Sequence, residues 1–581
     1  TSGLTISGDT MVVSNTLTLT SGQFGTGTID ARGDITQASG FGSSAAILDF
    51  GNDAVAQTYT LNGGFGPKLR LNSSADASDS VVLTADSGLN GLDITSGFSG
   101  TAPFTYAGFN LTILDGDFTQ AAGTFVAPTT LTLGTTANSD FIKTGGTFTE
   151  GTGTVVFSSN AIYDVATSET FSSVTINNSS GLTVTSGDTM VITGTLTLTN
   201  GTANNGTLEV QGNVTVQSTY DGGTSPLTFS GSATQSFDLT GATGLYDANI
   251  TINKSGGQVN LLSALVVNAA SQDLVVTSGT LNLGGNNLTV NGSSGQLIVR
   301  NGGTLQLQGS ETITVNTGYP ALQGGSTVTY NGTSGPYTIK SYTYANLTIS
   351  GSGATFNAPS SLDVDGNFTL SAGTFTAPSG TMNLWGNFTQ SGGTFTNNSG
   401  TVTFNNGANQ TLNLASGTTF YNATTLKSTL SDNLLGYWKM DETTAGSTVA
   451  DSSGNGNNGT PSGSAGANDK PQPSTDLPGT NFTDARSLDF DGTDDMVALT
   501  GVSVGTTSTI AMWVKPIPSS DSFATLFSAD ASNGIYYRGA SRKIALFGAS
   551  AESTTLLTEN AWTHIAIVNN AGSVTYYFNG V

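Results

Sequence analysis

The sequence predicts an all-β protein, with a parallel β-solenoid over residues 1–430 and a different domain over residues 431–581. Three observations support this prediction. The phrase GNFTLSAGTFT at 366–376 returns as GNFTQSGGTFT at 386–396. Hydrophobic residues alternate with Thr, Gln and Asn over short runs, as in TLNLGGNNLTV at 280–290, which is the period of a half-buried strand. Near residue 430 the composition changes.

Copies of the repeated phrase are 20 to 23 residues apart. DGDFTQAAGTFVAP at 115–128 is followed by SDFIKTGGTFT, so that Phe118 and Phe141 are 23 residues apart. A longer phrase, SGDTMVVSNTLTLTSG at 7–22, recurs at 186–201 as SGDTMVITGTLTLTNG. Repeats of this length are typical of stacked architectures, in which each copy lies above the previous one. Roughly 20 coils at about 4.8 Å each would form a rod about 95 Å long.

A string of immunoglobulin-like sandwiches is the alternative for this region. An aromatic residue that precedes a short strand recurs at Phe171, Tyr246, Tyr344 and Tyr421, and these spacings suit such domains. Immunoglobulin domains usually carry a core Trp, however, and residues 1–384 contain none. The solenoid explains the short repeats directly.

Composition and charge exclude several functions. The formal charge is −24, from 39 acids and 15 bases, which argues against binding to nucleic acid or to anionic lipid. The chain has no Cys, which excludes disulfides, zinc thiolate sites and a Cys nucleophile. No run of about 18 apolar residues occurs, so we expect no membrane-spanning helix in this segment. Because the chain begins within a repeat, we expect a longer natural protein whose export signal lies outside this segment.

Residues 1–430 resemble the Thr-, Gly- and Asn-rich right-handed β-helix repeats of large bacterial surface and adhesin-like proteins. The resemblance rests on the repeated phrases and on the composition quoted above. It implies a right-handed solenoid in a secreted or surface-exposed protein.

Five motifs in the last 150 residues resemble the laminin-G-like (concanavalin-A-like) jelly-roll domains. In chain order they are GYWKMDETTAGSTVADSSGNGNNGT at 436–460, RSLDFDGTDDMVAL at 486–499, STIAMWVKP at 508–516, KIALFG at 543–548 and AWTHIAIV…VTYYFNGV at 561–581. The resemblance implies an antiparallel two-sheet sandwich that binds carbohydrate, protein or calcium. Family members continue past the FNG hairpin with further strands. We therefore expect a C-terminally incomplete sandwich at Val581, with an open edge that invites strand exchange and self-association.

The segment DSSGNGNNG at 451–459 is the first candidate for a metal site. It combines an Asp, several Asn and flexible Gly in one loop, which supplies hard oxygen ligands to Ca²⁺. The predicted ligands are Asp451, Asn455 and Asn457. An ordinary Asn-Gly turn is the alternative. DFDGTDD at 489–495 is a second calcium candidate, with a solvated turn as its alternative.

The sequence contains no convincing catalytic site. His564 is the only histidine, and no nucleophile or orienting acid can be named for it. Asp115 and Asp117 could be spaced like the carboxylates of a glycosidase, but the matching phrase at 365–367 has Asn at its third position, which indicates a turn. The bases of residues 1–430 are few, and only Lys68 and Arg70 are close in sequence.

These observations predict a noncatalytic extracellular protein in which a repeat stalk presents a jelly-roll domain. The partner would be a glycan or a surface protein, with calcium as the cofactor. Two other functions stay open. One is a polysaccharide-degrading β-helix enzyme or a tail-spike-like depolymerase, and the other is a self-assembling extracellular filament subunit.

Overall fold

The computed structural model divides into two compact units, Thr1–Thr425 and Leu426–Val581. The predicted boundary between residues 430 and 431 lies outside the residues that the structure describes. The described residues are 3–6, 9–42, 45–50, 56–72, 79–98, 104–106, 108–135, 137–240, 242, 248–316, 318–405, 410–425, 434–464, 469–479, 485–502, 504–505, 507–518, 523–530, 533–546 and 552–580.

Every regular element among the described residues is a β-strand, and no helix there is long and apolar enough to cross a membrane. The strands up to residue 229 are β1 (Gly3–Leu4), β2 (Thr10–Val13), β3 (Leu17–Phe24), β4 (Thr28–Ala31), β5 (Ile35–Phe41), β6 (Ile47–Phe50), β7 (Thr58–Asn62), β8 (Phe65–Gly66), β9 (Lys68–Leu71), β10 (Ser80–Ala85), β11 (Ser87–Leu89), β12 (Leu92–Ile94), β13 (Phe104–Thr105), β14 (Leu111–Ile113), β15 (Phe118–Gln120), β16 (Thr124–Val126), β17 (Thr130–Leu133), β18 (Phe141–Lys143), β19 (Thr147–Thr149), β20 (Thr154–Phe157), β21 (Ala161–Val165), β22 (Ser168–Phe171), β23 (Ser173–Asn177), β24 (Leu182–Ile192), β25 (Leu196–Val210), β26 (Val214–Gly222) and β27 (Leu227–Phe229).

The remaining strands of the first unit are β28 (Gln235–Asp238), β29 (Ile250–Leu261), β30 (Leu265–Val267), β31 (Leu274–Asn282), β32 (Leu288–Val290), β33 (Leu297–Val299), β34 (Gly303–Leu307), β35 (Ile313–Val315), β36 (Ala321–Leu322), β37 (Thr327–Tyr330), β38 (Tyr337–Thr338), β39 (Thr343–Tyr344), β40 (Asn346–Ile349), β41 (Thr355–Asn357), β42 (Leu362–Val364), β43 (Phe368–Leu370), β44 (Thr374–Thr376), β45 (Thr381–Leu384), β46 (Phe388–Gln390), β47 (Thr394–Thr396), β48 (Thr401–Phe404), β49 (Leu412–Asn413) and β50 (Asn422–Thr425). The second unit has β51 (Gly459–Ser462), β52 (Gln472–Ser474), β53 (Ser487–Asp489), β54 (Met496–Leu499), β55 (Thr507–Val514), β56 (Ala524–Asp530), β57 (Asn533–Arg538), β58 (Lys543–Leu546), β59 (Thr563–Asn570) and β60 (Ser573–Phe578).

The first unit is a β-solenoid of about 18 turns in which strands pair in parallel with those of the next coil. The repeat spacing sets the register. Phe118 pairs with Phe141, and Phe368 pairs with Phe388, as the repeated phrases predict. The solenoid prediction is therefore confirmed, and the alternative of a string of sandwiches is wrong. Right-handedness stays a prediction.

Aromatic side chains from successive coils stack inside the solenoid. The Phe118 and Phe141 rings are parallel with centroids 4.9 Å apart, and Tyr163 continues the stack at 5.8 Å from Phe141. All three side chains are buried. The glycine that begins each GTFT segment is also fixed by packing: Gly373 and Gly393 both have positive φ, and a Cβ on Gly393 would meet the carbonyl oxygen of Gly373 at 2.5 Å. The phrase thus repeats because each coil must accommodate the next one.

One face of the solenoid from β29 to β49 carries two adjacent columns of outward residues without a charged side chain. The burial of these strands alternates, with the hydrophobic residues inside. We call these two columns the uncharged face. The first column is Asn260, Asn282, Gln306, Thr329, Thr348, Thr369, Thr389 and Asn413. The second column is Gln258, Thr280, Thr304, Thr327, Asn346, Asn367, Asn387 and Thr411.

The second unit is built from antiparallel pairs, in contrast to the solenoid. One three-stranded sheet has the order β55–β59–β60, and another has the order β56–β57–β58. Their buried residues form a single core cluster, since Ile535 and Ile544 of one sheet join Ile565 and Ile567 of the other. The two sheets therefore pack face to face, which confirms the antiparallel sandwich.

Candidate functional site

The sheet β55–β59–β60 buries one of its faces in the sandwich core. Met512, Ile565 and Ile567 belong to the core cluster or pack against it. Since successive side chains of a strand point to opposite faces, Trp513 and His564 lie on the other, outer face. On this outer face Tyr577 is exposed, whereas Trp513 and His564 are partly buried.

Three aromatic side chains share this outer face. Trp513 is the cross-strand partner of His564, and their ring centroids are 5.3 Å apart at 64°. Tyr577 lies opposite Ala566, the next outward residue after His564, and is 40% exposed. Diagonal neighbours on adjacent strands are about 7–8 Å apart, within reach of aromatic side chains. We call Trp513, His564 and Tyr577 the aromatic platform.

Polar groups border the aromatic platform at one end. Lys515 directly follows β55 and Trp562 directly precedes β59, so both lie at the strand ends nearest to Trp513 and His564. The indole Nε1 of Trp562 donates a hydrogen bond to Asp476 Oδ1 at 2.8 Å, and the Lys515 ammonium donates to Asp476 Oδ2. The hydrogen bond from Lys515, with that from Trp562, lowers the pKa of Asp476. This carboxylate is half exposed and ionised at neutral pH.

Small residues form the floor of the platform. Ala511 pairs with Ala566 across β55 and β59, between Trp513 and Tyr577. The side chains of these two residues are single methyl groups, smaller than the aromatic rings beside them. Aromatic rings bury large apolar area with defined geometry, and the nearby carboxylate and ammonium groups accept and donate hydrogen bonds. Such a surface is suited to a ring that has one apolar face and hydroxyl groups around its edge.

The predicted calcium ligand Asp451 is held by backbone N–H groups. Its Oδ1 accepts hydrogen bonds from the amides of Tyr437 and Ser453, both at 2.9 Å, and its Oδ2 accepts one from the amide of Asn457 at 2.9 Å. Hydrogen bonding, first from the Ser453 side chain and then from the Tyr437 amide, holds the pKa of Asp451 well below its usual range. The carboxylate therefore closes the loop through three protein donors.

The two predicted Asn ligands also have structural tasks in the same loop. Asn455 Nδ2 donates to the carbonyl of Leu434, and Asn457 Nδ2 donates to that of Leu435 at 2.6 Å. Because both side-chain nitrogens already donate hydrogen bonds, the side-chain oxygens of Asn455 and Asn457 are the atoms suited to bind a cation. A hydrogen bond joins Asp451 and Asn457, whereas Asn455 forms hydrogen bonds with Ser453 and Leu434. The metal role of all three residues stays a prediction.

The second calcium candidate gathers three carboxylates. One oxygen each from Asp491, Asp494 and Asp495 lies within 4.8 Å of the other two. The amides of Thr493 and Asp494 donate to Asp491 Oδ1, and the Asp491 amide donates to Asp495 Oδ2. Backbone donors, led by Thr493, lower the pKa of Asp491. The hydrogen bonds are those of a tight acidic turn between β53 and β54.

In the solenoid, Asp117 serves the fold. Its Oδ1 accepts the backbone N–H of Asp140 on the next coil at 3.1 Å, and Asp140 in turn accepts the N–H of Ile162 at 2.7 Å. Asn367 and Asn387, at the matching position of their phrases, make the same type of bond. Asp117 therefore joins successive coils, and the turn interpretation of DGD at 115–117 stays a prediction.

The structure also brings together a charged patch that the sequence reasoning missed. Asp30, Asp49, Arg70 and Asp93 are successive register partners on adjacent coils. Arg70 lies between two acids, 3.6 Å from Asp49 and 3.5 Å from Asp93, while Arg32 pairs with Asp30 at 2.8 Å. Burial is the main cause that raises the pKa of Asp49. The spacings of 19, 21 and 23 residues, which match the coil length, are the signal that could have revealed this patch.

The sequence reasoning also missed the aromatic platform, in which His564 lies on β59. Trp513 and His564 are 51 residues apart in the sequence, and only the pairing of β55 with β59 joins them. The available signal was the presence of aromatic residues in the segments WTHIA at 562–566 and VTYYF at 574–578, which form neighbouring strands.

Neither the curated proteins nor the solved structures gave a match to the chain. One family model matches, over residues 491–581: Laminin_G_3, described as the concanavalin A-like lectin/glucanases superfamily. The matched stretch contains β54 to β60 and so includes all three residues of the aromatic platform. The C-terminal resemblance seen in the sequence is thereby confirmed for residues 491–581.

Proposed function

We propose that this is a noncatalytic extracellular protein whose C-terminal unit binds carbohydrate on the aromatic platform. The observation that carries the proposal is the outer face of β55–β59–β60, where Trp513, His564 and Tyr577 lie within the stretch that matches the concanavalin A-like lectin/glucanases superfamily. Domains of this superfamily are typically extracellular, which supports a secreted or surface location. The solenoid then serves as the stalk.

The chemistry of the platform favours a sugar over a peptide or a nucleic acid. A pyranose ring can stack its C–H face on Trp513 or Tyr577 while its hydroxyl groups reach Asp476 and Lys515. A nucleic acid would need clustered bases, and the chain carries a formal charge of −24. The ligand class is therefore an oligosaccharide without a high negative charge.

Ion pairing argues against glycosidase chemistry at the charged patch of the solenoid. The carboxylates of the charged patch on the solenoid all face a base, with Asp49 and Asp93 on either side of Arg70. A glycosidase needs one carboxylic acid that donates a proton and a second carboxylate that is free to act as nucleophile or base. Carboxylates locked to guanidinium groups are poor candidates for either role.

Calcium binding at Asp451, Asn455 and Asn457 is a second part of the proposal. The amide oxygens of both Asn residues, together with the carboxylate, would supply the hard ligands. The carboxylate would have to share its oxygens between the ion and its three N–H donors. We infer that calcium would add to a loop that already has its own hydrogen bonds.

A glycan array tests the carbohydrate proposal. The whole chain should bind a subset of neutral oligosaccharides, and Trp513→Ala with Tyr577→Ala should weaken that binding by about tenfold or more, because each removes stacking area. Trp385→Ala is the matched control, since Trp385 is an exposed tryptophan of the solenoid. Unchanged binding by the platform variant would contradict the proposal. Release of new reducing ends from any bound glycan would contradict the noncatalytic assignment.

A further inference from the structure

Lys254 on β29 places an amine in the interior of the solenoid. The residue is 2% exposed, and it makes no ion pair among the residues that the structure describes. Its Nζ donates to the carbonyl oxygen of Ser230 at 3.1 Å and to the side-chain oxygen Oε1 of Gln235. These two acceptors match the two N–H groups of a neutral amine and leave its lone pair free. Burial lowers the pKa of Lys254, which favours this nucleophilic form.

Gln235 on β28 holds its side-chain amide against this amine. The residue is 1% exposed. Its Nε2 donates to the carbonyl oxygens of Val210 at 2.9 Å and Gly212 at 2.6 Å. Because these bonds use both N–H groups of the amide, they fix its orientation with Oε1 towards Lys254. The amine therefore lies next to the side-chain carbon Cδ, which is one bond away from Oε1.

Other Gln residues of the solenoid show what is particular to this pair. Gln410 makes the same two bonds, from Nε2 to two backbone carbonyls of the preceding coil at 2.9 and 2.6 Å. The Oε1 atom of Gln390 accepts a hydrogen bond from the hydroxyl group of Thr418 at 2.6 Å. A hydroxyl group is thus sufficient as the donor to such an oxygen. At Gln235 the donor is Lys254, whose neutral amine is a better nucleophile than a hydroxyl group.

We propose that Lys254 and Gln235 form an intramolecular isopeptide bond between two consecutive coils, whose strands β28 and β29 pair in parallel. The lone pair of Nζ attacks Cδ, and a proton moves from Nζ to Nε2. The Cδ–Nε2 bond then breaks, so that one Nζ–Cδ amide bond replaces it and one molecule of ammonia leaves. The reaction needs no oxidant, reductant or cofactor. The fold promotes it, because two groups held in contact react as if at a very high concentration.

The bond would stabilise the solenoid covalently. The two residues are 19 apart in the sequence, so the bond closes a loop of about one coil. A covalent link of this kind restricts the unfolded chain, as a disulfide does. The chain has no Cys, and an isopeptide bond is a covalent link that it can form without one. The bond needs no ligand and is therefore independent of the proposed carbohydrate function.

Mass spectrometry of the denatured whole chain tests the proposal. We expect an intact mass lower than that of the sequence by one molecule of ammonia. Trypsin does not cleave after an acylated lysine, so one peptide of residues 144–300 should replace the separate peptides 144–254 and 255–300. Tandem spectra should place the loss on Gln235 and Lys254, which distinguishes the bond from a succinimide at an Asn-Gly sequence.

Three variants separate this bond from other sources of the same mass change. Lys254→Arg and Gln235→Met should each have the full sequence mass, because one reacting group is absent. Gln410→Ala is the matched control, and it should retain the loss of ammonia and the peptide 144–300. The decisive measurement is made on the unchanged chain, so it does not depend on the folding of any variant.

Two outcomes would overturn the proposal. One is an unchanged chain of full sequence mass that yields the separate peptides 144–254 and 255–300, which would leave Lys254 as a hydrogen-bond donor only. The other is a loss of ammonia that persists in Lys254→Arg, which would place the modification elsewhere in the chain.

Discussion

The residue before the phenylalanine of the repeated phrase shows why the sequence repeats. Asn367 and Asn387 each accept, through Oδ1, the backbone N–H of a residue on the next coil, at 2.9 and 2.8 Å. Asp117 does the same at its own position. Asn and Asp can both accept this hydrogen bond, since each has an oxygen on a short side chain. The phrase therefore varies between GNFT and GDFT without a change in structure.

The first prediction concerns this hydrogen bond. Asn387→Ala should lower the free energy of unfolding by about 0.5–1.5 kcal/mol, because the Thr411 N–H loses its protein partner. Asn387→Asp should restore most of the loss, since Asp117 already fills the same role. Urea denaturation monitored by circular dichroism measures both variants. Equal destabilisation by Ala and by Asp would show that the side-chain oxygen is not what matters.

The second prediction separates the two roles of Asp451. Asp451→Asn should lower the melting temperature of the C-terminal unit in Ca²⁺ and in EGTA alike, because the carboxylate charge strengthens three N–H contacts. The calcium proposal adds that the unchanged protein melts at a higher temperature in Ca²⁺ than in EGTA and that Asp451→Asn abolishes this difference. Calorimetry in the two buffers measures each part. If the unchanged protein melts identically in both, calcium does not bind at this loop.

At the scale of elements, each coil of the solenoid is stabilised mainly by its neighbours. The Phe388 ring is buried and lies 5.0 Å from Phe368 on the preceding coil and 5.5 Å from Phe395 on its own coil. Because contacts join consecutive coils, stability is approximately a sum of coil and interface contributions. A substitution that destabilises one coil should therefore also destabilise the coils next to it.

The third prediction follows from this packing. Phe388→Ala should lower the free energy of unfolding by about 3–5 kcal/mol, since it removes a buried ring and leaves a cavity between coils. Thr389→Ala, at the next and outward-facing position, should change it by less than about 0.5 kcal/mol. Chemical denaturation of the whole chain provides the comparison. A cost for Phe388→Ala no greater than that for Thr389→Ala would contradict the stacked aromatic core.

The elements that sequence reasoning identified are those whose partners lie one repeat away. Phe118 and Phe141 occupy the same position in two copies of the repeated phrase and also contact each other, so the repeat itself indicates their register. The C-terminal unit has no such repeat, because Trp513 contacts His564 only through the antiparallel pairing of strands that are far apart in the sequence. Family resemblance gave its fold, but not which side chains share the outer face. The charged patch was only partly predictable. Asp49, Arg70 and Asp93 follow the repeat spacing, but they are not the same residue type.

At the scale of the whole molecule, the acids of the two units are placed differently. In the C-terminal unit, the pKa values of Asp451, Asp476 and Asp491 are lowered by hydrogen bonds, led by Ser453, Lys515 and Thr493 respectively. In the solenoid, burial is the main cause that raises the pKa values of Asp49, Asp140 and Asp365. Asp238 is an exception, because hydrogen bonds from Thr240 lower its pKa.

The fourth prediction is that acid destabilises the C-terminal unit more than the solenoid. A carboxyl group with a lowered pKa stabilises the folded state above its unfolded pKa of about 3.9, and this contribution is lost as the pH falls through the folded pKa. A carboxyl group with a raised pKa has the opposite effect, because its stabilising protonation is complete at low pH and is lost as the pH rises through the folded pKa. On acidification from pH 7 to pH 3, the C-terminal unit should therefore lose more stability than the solenoid. Differential scanning calorimetry of the whole chain should show that the midpoint of the C-terminal transition falls further than that of the solenoid, and Asp451→Asn combined with Asp491→Asn should reduce this difference. Two transitions that shift in parallel would mean that these hydrogen-bonded carboxylates do not control the acid stability of the C-terminal unit.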